Sequence, residues 1–279
     1  MNPDIERKLN NVTNLISLPE VYIKVNELMD NPNSDMYKFA EVVMVDPGLS
    51  ALILKLVNSA YYGFPETIQN IAQSISLIGL NRFHQIVMGV SAMSSLNEGG
   101  DPDTLQKFWR ASLNTGVMAQ LLATRVNAVE NDEMFIAGLL HEIGHLVMYT
   151  HFPELVDESL KLAQERDLLI QEAEREVMDC HYGEVGAMLM ANWELPKHLQ
   201  TLTHNQPFPD EAEEDQQIAM LMHIAHIYGH GIAEYNLEDV EALVTDEMLF
   251  AVGILRDELL LDMEDAESMS REMAKVILH

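Results

Sequence analysis

Apolar residues in this chain return at the three- and four-residue spacing of a helix face, and no run alternates apolar with polar in the manner of a strand. Val21, Val25, Leu28 and Met29 fall on one face of a 3.6-residue helix, as do Phe39, Val42 and Val43. No run alternates β-branched residues about an Asn-Gly or Asp-Gly turn, so paired strands have no pattern to build on. A chain patterned this way can bury its apolar faces only by laying helix on helix. The expected fold is all-α, a multi-helix bundle.

Prolines, glycines and capping residues cut the pattern into segments. Pro19 suits the first turn of a helix that stops at Asn31-Pro32, and Ser34 is the expected cap of the next. Asp46-Pro47-Gly48 precedes a strongly apolar helix over 49–60, and helices over 70–80 and 81–96 follow. The string from Asn97 to Asp103 holds two glycines and a proline among polar residues. It marks the expected boundary between an N-terminal helical part, 1–100, and a core with C-terminal helices, 101–279. Beyond it the spacing predicts helices over 104–125, 132–148, 153–166, 169–180, 184–193, 196–204, 216–229, 237–260 with a break near Asp246, and 264–278.

Composition narrows the function classes. With 48% apolar residues in 279, the chain can bury a sizeable core. The 18 methionines read as flexible core filler. A single cysteine, Cys180, excludes a disulfide framework and any Cys-rich zinc module, and a buried structural thiol is expected there. Against 45 acids stand 16 Lys and Arg, a net charge of -29 with no basic cluster to offset it. Such a chain repels nucleic-acid phosphates and anionic lipid, so neither direct nucleic-acid binding nor electrostatic membrane docking is expected. The first residues lack a basic stretch followed by an apolar one, and no run approaches the roughly 18–20 apolar residues of a membrane span. A cytoplasmic location is expected.

Two motifs compete for His141. His141-Glu142-Ile143-Gly144-His145 matches H-E-x-x-H, in which two histidines one helical turn apart bind zinc and the glutamate polarises water, and His151 stands at the third-ligand spacing of the longer form. That longer form needs a glycine where this chain has Met148, inside an apolar run that reads as continued helix. The zinc-protease reading is therefore the third choice. The surroundings favour another: Leu139-Leu140-His141-Glu142-Ile143-Gly144-His145-Leu146 resembles the L-L-H-D-I-G-K-L segment of HD-superfamily phosphohydrolases, with Glu for the Asp and His for the Lys. Phe108 to Leu113, His181 to Ala187, Trp193 to Pro196 and His204 continue the resemblance. Asp46-Pro47-Gly48-Leu49 and Leu56-Val57-Asn58-Ser59-Ala60-Tyr61-Tyr62-Gly63 are very similar to the hallmark of HDOD proteins, as are Leu18-Pro19 and the stretch from Ser74 to Leu80. The resemblance spans roughly residues 15 to 230 and implies an N-terminal helical part packed on an HD-like helical core.

The resemblance also implies which chemistry has changed. HD enzymes hold one or two metal ions through H…HD…D, and the metal makes hydroxide from water at neutral pH. Here the first histidine falls on Ala111, which has no donor atom. The His-Asp pair falls on His141-Glu142, and the last aspartate on His226. His181 and His204 fall where metal- or phosphate-contacting histidines occur in catalytic relatives. Convergence of His141, Glu142, His181, His204 and His226 would make a nitrogen-rich pocket suited to one Fe, Zn or Ni ion rather than Mg. His223, His226 and His230 share a helix face, but only His226 matches a family position. Asp46, Pro47, Asn58 and Ser59 form the family-signature surface, readable as a recognition surface or as a polar helix end. The implied function is a non-catalytic bacterial signalling or regulatory module. It would act through protein–protein contact or ligand sensing, with no cofactor required and with signalling partners encoded elsewhere. The alternative is a metal-dependent phosphohydrolase with a rearranged mononuclear site.

Overall fold

The computed structural model describes residues 3–59, 61–96, 101–126, 131–234 and 243–278. The boundary expected at 97–100, Ala60 of the hallmark and the start of the helix expected at 237–260 lie outside the described residues. Among those described there are helices and turns and no strand.

The N-terminal part holds α1 (Pro3–Leu15), α2 (Glu20–Met29), α3 (Met36–Met44), α4 (Pro47–Val57), α5 (Ile71–Ile78) and α6 (Leu80–Leu96). The sequence pattern did not single out α1, because its apolar stripe of Ile5, Leu9 and Val12 is thin and set among charges. Asp35, not Ser34, caps α3: its carboxylate accepts from the backbone N–H groups of Tyr37 and Lys38 at 3.0 Å each. A charged acceptor also interacts favourably with the helix dipole there.

The second part is built around α7 (Pro102–Val126), which is buried along most of its length from Trp109 to Ala123. Against it lie α8 (Asn131–Leu140) and α14 (Gln216–Glu234). Small residues permit the approach: a Cβ on Gly138 would lie 2.6 Å from Gly116 Cα, and one on Gly229 would lie 2.0 Å from Thr115 Oγ1. Between α8 and α14 the chain runs through α9 (Ile143–His151), α10 (Pro153–Arg166), α11 (Ile170–Met178), α12 (Tyr182–Asn192) and α13 (Lys197–Asn205). Two further helices, α15 (Asp246–Val252) and α16 (Arg256–Ile277), follow. The last packs on α7 and α4, held by a bidentate Arg125–Asp262 pair at 2.6 and 2.7 Å. Buried apolar residues from both sides of residue 100 form one continuous cluster.

The largest departure from the sequence pattern is the helix expected over 132–148. It breaks at His141-Glu142, with α8 ending at Leu140 and α9 starting at Ile143. Close packing accounts for the turn. A Cβ on Gly144 would lie 1.9 Å from the Tyr182 carbonyl oxygen, so α9 meets the start of α12 backbone to backbone. Cys180 is buried, and burial pushes its thiol up to about 12, which leaves it inert. Among the described residues no helix is long and apolar enough to cross a membrane.

Candidate metal centre

The break between α8 and α9 releases His141 and Glu142 from helical geometry and points them at α14. His141 is fully buried, and its Nδ1–H donates to the Gly138 carbonyl at 2.7 Å. That bond fixes the tautomer and leaves Nε2 with its lone pair, the arrangement by which proteins orient a metal-binding imidazole. Nε2 lies 2.8 Å from His226 Nδ1. One turn along α14, His230 Nε2 lies 2.6 Å from Glu142 Oε2. Donor atoms of His141, Glu142, His226 and His230 all lie within 4.8 Å of one another.

The electrostatics leave His141, Glu142 and His226 in ligand form. Burial lowers His141 to about 4 against the opposing pull of Glu142, and burial likewise holds His226 well below its usual value. Burial works against the Glu142 carboxylate, yet the imidazoles of His230, His226 and His141 hold it well below the usual carboxylate range. Neutral imidazoles at His141 and His226 beside the ionised Glu142 carboxylate are the form a divalent transition metal requires of its ligands. The donor set therefore fits such an ion.

The HDOD domain family matches residues 15–208, well over half of the chain. This protein belongs to the HDOD family. A curated relative from Treponema pallidum, itself uncharacterised, is 26% identical over 206 residues, 73% of this chain. The chain spans only 40% of that relative's length. Among solved structures, one from Shewanella amazonensis, provisionally described as a phosphohydrolase, superposes with a TM-score of 0.80 at 22% identity, covering 99% of this chain and 98% of that one. An HDOD domain protein of unknown function from Geobacter sulfurreducens gives 0.74 at 19% identity, covering 93% and 91%. A provisionally described signal transduction protein from Marinobacter aquaeolei gives 0.71 at 23%, covering 94% of this chain and 59% of that one. At these identities the likeness is one of fold.

The residues singled out in the sequence fall into separate sets in this protein. His141, Glu142 and His226 meet, and His230 joins them. The pattern placed His230 on the right face but gave no family position for it; its signal was the i, i+4 spacing from His226. His223, on the same face, bonds the Gln206 carbonyl at 2.9 Å instead. Ala111 is buried on α7 and offers no donor.

His181 and His204 form a separate pair, with ring centroids 5.8 Å apart, and are not part of the four-residue group. A capping bond holds His181 in this separate pair. His181 is the N-cap of α12, where Nδ1 accepts from the Gly183 N–H at 3.2 Å, so its remaining nitrogen carries the hydrogen and faces Glu184 at 3.5 Å. Burial, then Arg175, lowers His181 to about 3. His204 lies on the exposed side of α13 beside Asn205.

The zinc-protease geometry is absent. The helix that should carry both histidines is interrupted, and His151 is exposed at the end of α9. His145 instead lies between two carboxylates: Nδ1 is 3.3 Å from Glu142 Oε1 and Nε2 donates to Glu174 Oε1 at 3.0 Å. Burial opposes its charge, but Glu174 and Glu142 outweigh it and push the ring up to about 10. An imidazolium has no lone pair for a metal.

The hallmark residues are committed to local structure. Asp46 caps α4 through Leu49 N–H at 3.0 Å, and Pro47 occupies the first turn. Asn58 donates to the carbonyls of Leu54 and Ile68 and accepts from Ile68 N–H, pinning the loop before α5. Ser59 is buried beside it.

Proposed function

We propose that this HDOD protein is a non-catalytic regulatory module in which His141, Glu142, His226 and His230 hold one transition-metal ion. The observation that carries the reading is His230. With it the protein supplies three imidazoles and one carboxylate, which fill a tetrahedral ion; catalytic zinc sites keep one position for water. Ala111 removes the donor a second ion would use. Bound there, the ion would tie the α8–α9 junction to α14 and, were a position open, would act as a Lewis acid on a phosphate oxygen. The regulatory output passes through contact with signalling proteins.

The alternative, a metal-dependent phosphohydrolase, is favoured by one feature: the side chains of His226 and His230 retain 20% and 29% of their exposure, so the centre opens to solvent. Elemental analysis of untagged protein never exposed to chelator separates the readings when joined to an assay. The regulatory reading expects about one Fe, Zn or Ni per chain, lost in His141→Ala and His230→Ala, and no turnover of aryl phosphodiesters or cyclic dinucleotides by the loaded protein. Turnover that disappears in His141→Ala would establish the enzyme. Absence of metal, with none taken up on addition, would remove the centre from both readings.

A further inference from the structure

Glu174 is an acid with 1% exposure on the core-facing side of α11. Both of its oxygens are committed: Oε2 accepts the Tyr182 backbone N–H at 3.0 Å, and Oε1 accepts from His145 at 3.0 Å. Tyr182 opens α12, so one oxygen is fixed by backbone, and that fixes the direction of the other. His145 in turn has only one remaining ring nitrogen, and it faces Glu142 Oε1. The result is a continuous buried line from α11 through α9 to the candidate ligand.

Stability alone gives little reason for this line. A buried ion pair is commonly no better than apolar residues of the same volume. Glu142, by contrast, needs an orienting partner. It sits in the interruption between two helices, its side chain caps nothing, and three side-chain torsions separate its carboxylate from the backbone. Its Oε2 meets His230, while its Oε1 has His145 as its hydrogen-bond partner. Residues behind a metal ligand that fix its direction contribute strongly to affinity.

We propose that Glu174, acting through His145, positions Glu142 as a metal ligand and so couples the α10–α11 hairpin to occupancy of the centre. This rests on reading His141, Glu142, His226 and His230 as a metal centre. The hairpin suits such coupling: its two helices pack on each other, and it reaches the centre through Glu174. A second tether, Gln171 to the Pro207 carbonyl, holds the same helix without touching His145 and serves as the control.

The test is Zn²⁺ affinity of the full chain, by competition with a chromophoric chelator, together with visible absorption of the Co²⁺ form. Glu174→Gln is expected to weaken Zn²⁺ by about 10–100-fold, and Gln171→Leu to stay within about threefold of wild type. Glu174→Gln should also shift the Co²⁺ bands and erase metal-induced protection of residues 153–178 from hydrogen exchange. His145→Gln should reproduce the loss and carries the comparison if Glu174→Gln does not fold; the double variant should lose no more than either. Wild-type Zn²⁺ binding with Glu174→Gln unchanged overturns the coupling while leaving the centre intact. Equal losses in Glu174→Gln and Gln171→Leu overturn it too, by showing only helix damage. No Zn²⁺ bound by wild type overturns the centre and the coupling together.

Discussion

At the scale of single residues, histidine chemistry here is decided by the second nitrogen. His141 gives its hydrogen to a carbonyl and turns its lone pair to His226, His145 is held charged between two carboxylates, and His181 spends its lone pair on a helix cap. Sequence reasoning placed His141, Glu142 and His226 together because a signature names them. It could not separate His181 from them, since a cap and a ligand use the same atom and only the start of α12 tells which. The cap has a measurable consequence. Folded His181 titrates near 3, whereas an unfolded histidine titrates near 6.5, so between these values the unfolded chain binds more protons. The stability His181 contributes is whole above pH 6.5 and is lost as the pH falls toward 3. Asparagine also caps helices and does not titrate. In urea unfolding at pH 7.5 and pH 5, His181→Asn is expected to lose about 2 kcal/mol less on acidification than wild type. Equal losses would show that His181 is not held neutral.

At the scale of elements, most helices were legible because one stripe of apolar residues per helix suffices to find them. Their ends were less so. The interruption at His141-Glu142 left no trace in the periodicity, because Leu139, Leu140, Ile143 and Leu146 continue a helical stripe across it. The cause is non-local: the backbone of α12 presses on Gly144. The same kind of contact seats α14. A Cβ at Gly229 would stand 2.0 Å from Thr115 Oγ1 and 2.7 Å from the Thr115 backbone nitrogen. The hydroxyl can turn away, but the backbone of α7 cannot. Gly229→Ala must therefore lift α14 from α7, at a cost of about 1–3 kcal/mol. Because α14 also carries His226 and His230, Zn²⁺ affinity should fall with it. A variant with unchanged urea midpoint would mean that α7 and α14 pack less closely than this.

At the scale of the whole molecule, the fold class followed from patterning, whereas the sign of its electrostatics followed from counting. A net charge of -29 on 279 residues exceeds what internal pairing can absorb, since only 16 Lys and Arg are present. Several of those are already engaged, as Arg125 is with Asp262 and Arg175 with Glu211. The remaining acids repel one another, and more strongly in the compact state than in an expanded chain. Between 0.01 and 0.15 M ionic strength the screening length falls from about 30 Å to about 8 Å, so repulsion across the molecule is largely removed while contacts within an ion pair persist. Added NaCl is therefore expected to raise the thermal midpoint over this range. A protein held together chiefly by its surface ion pairs would show the reverse. A falling midpoint would place those pairs, rather than the buried cluster spanning both parts of the chain, in control of stability.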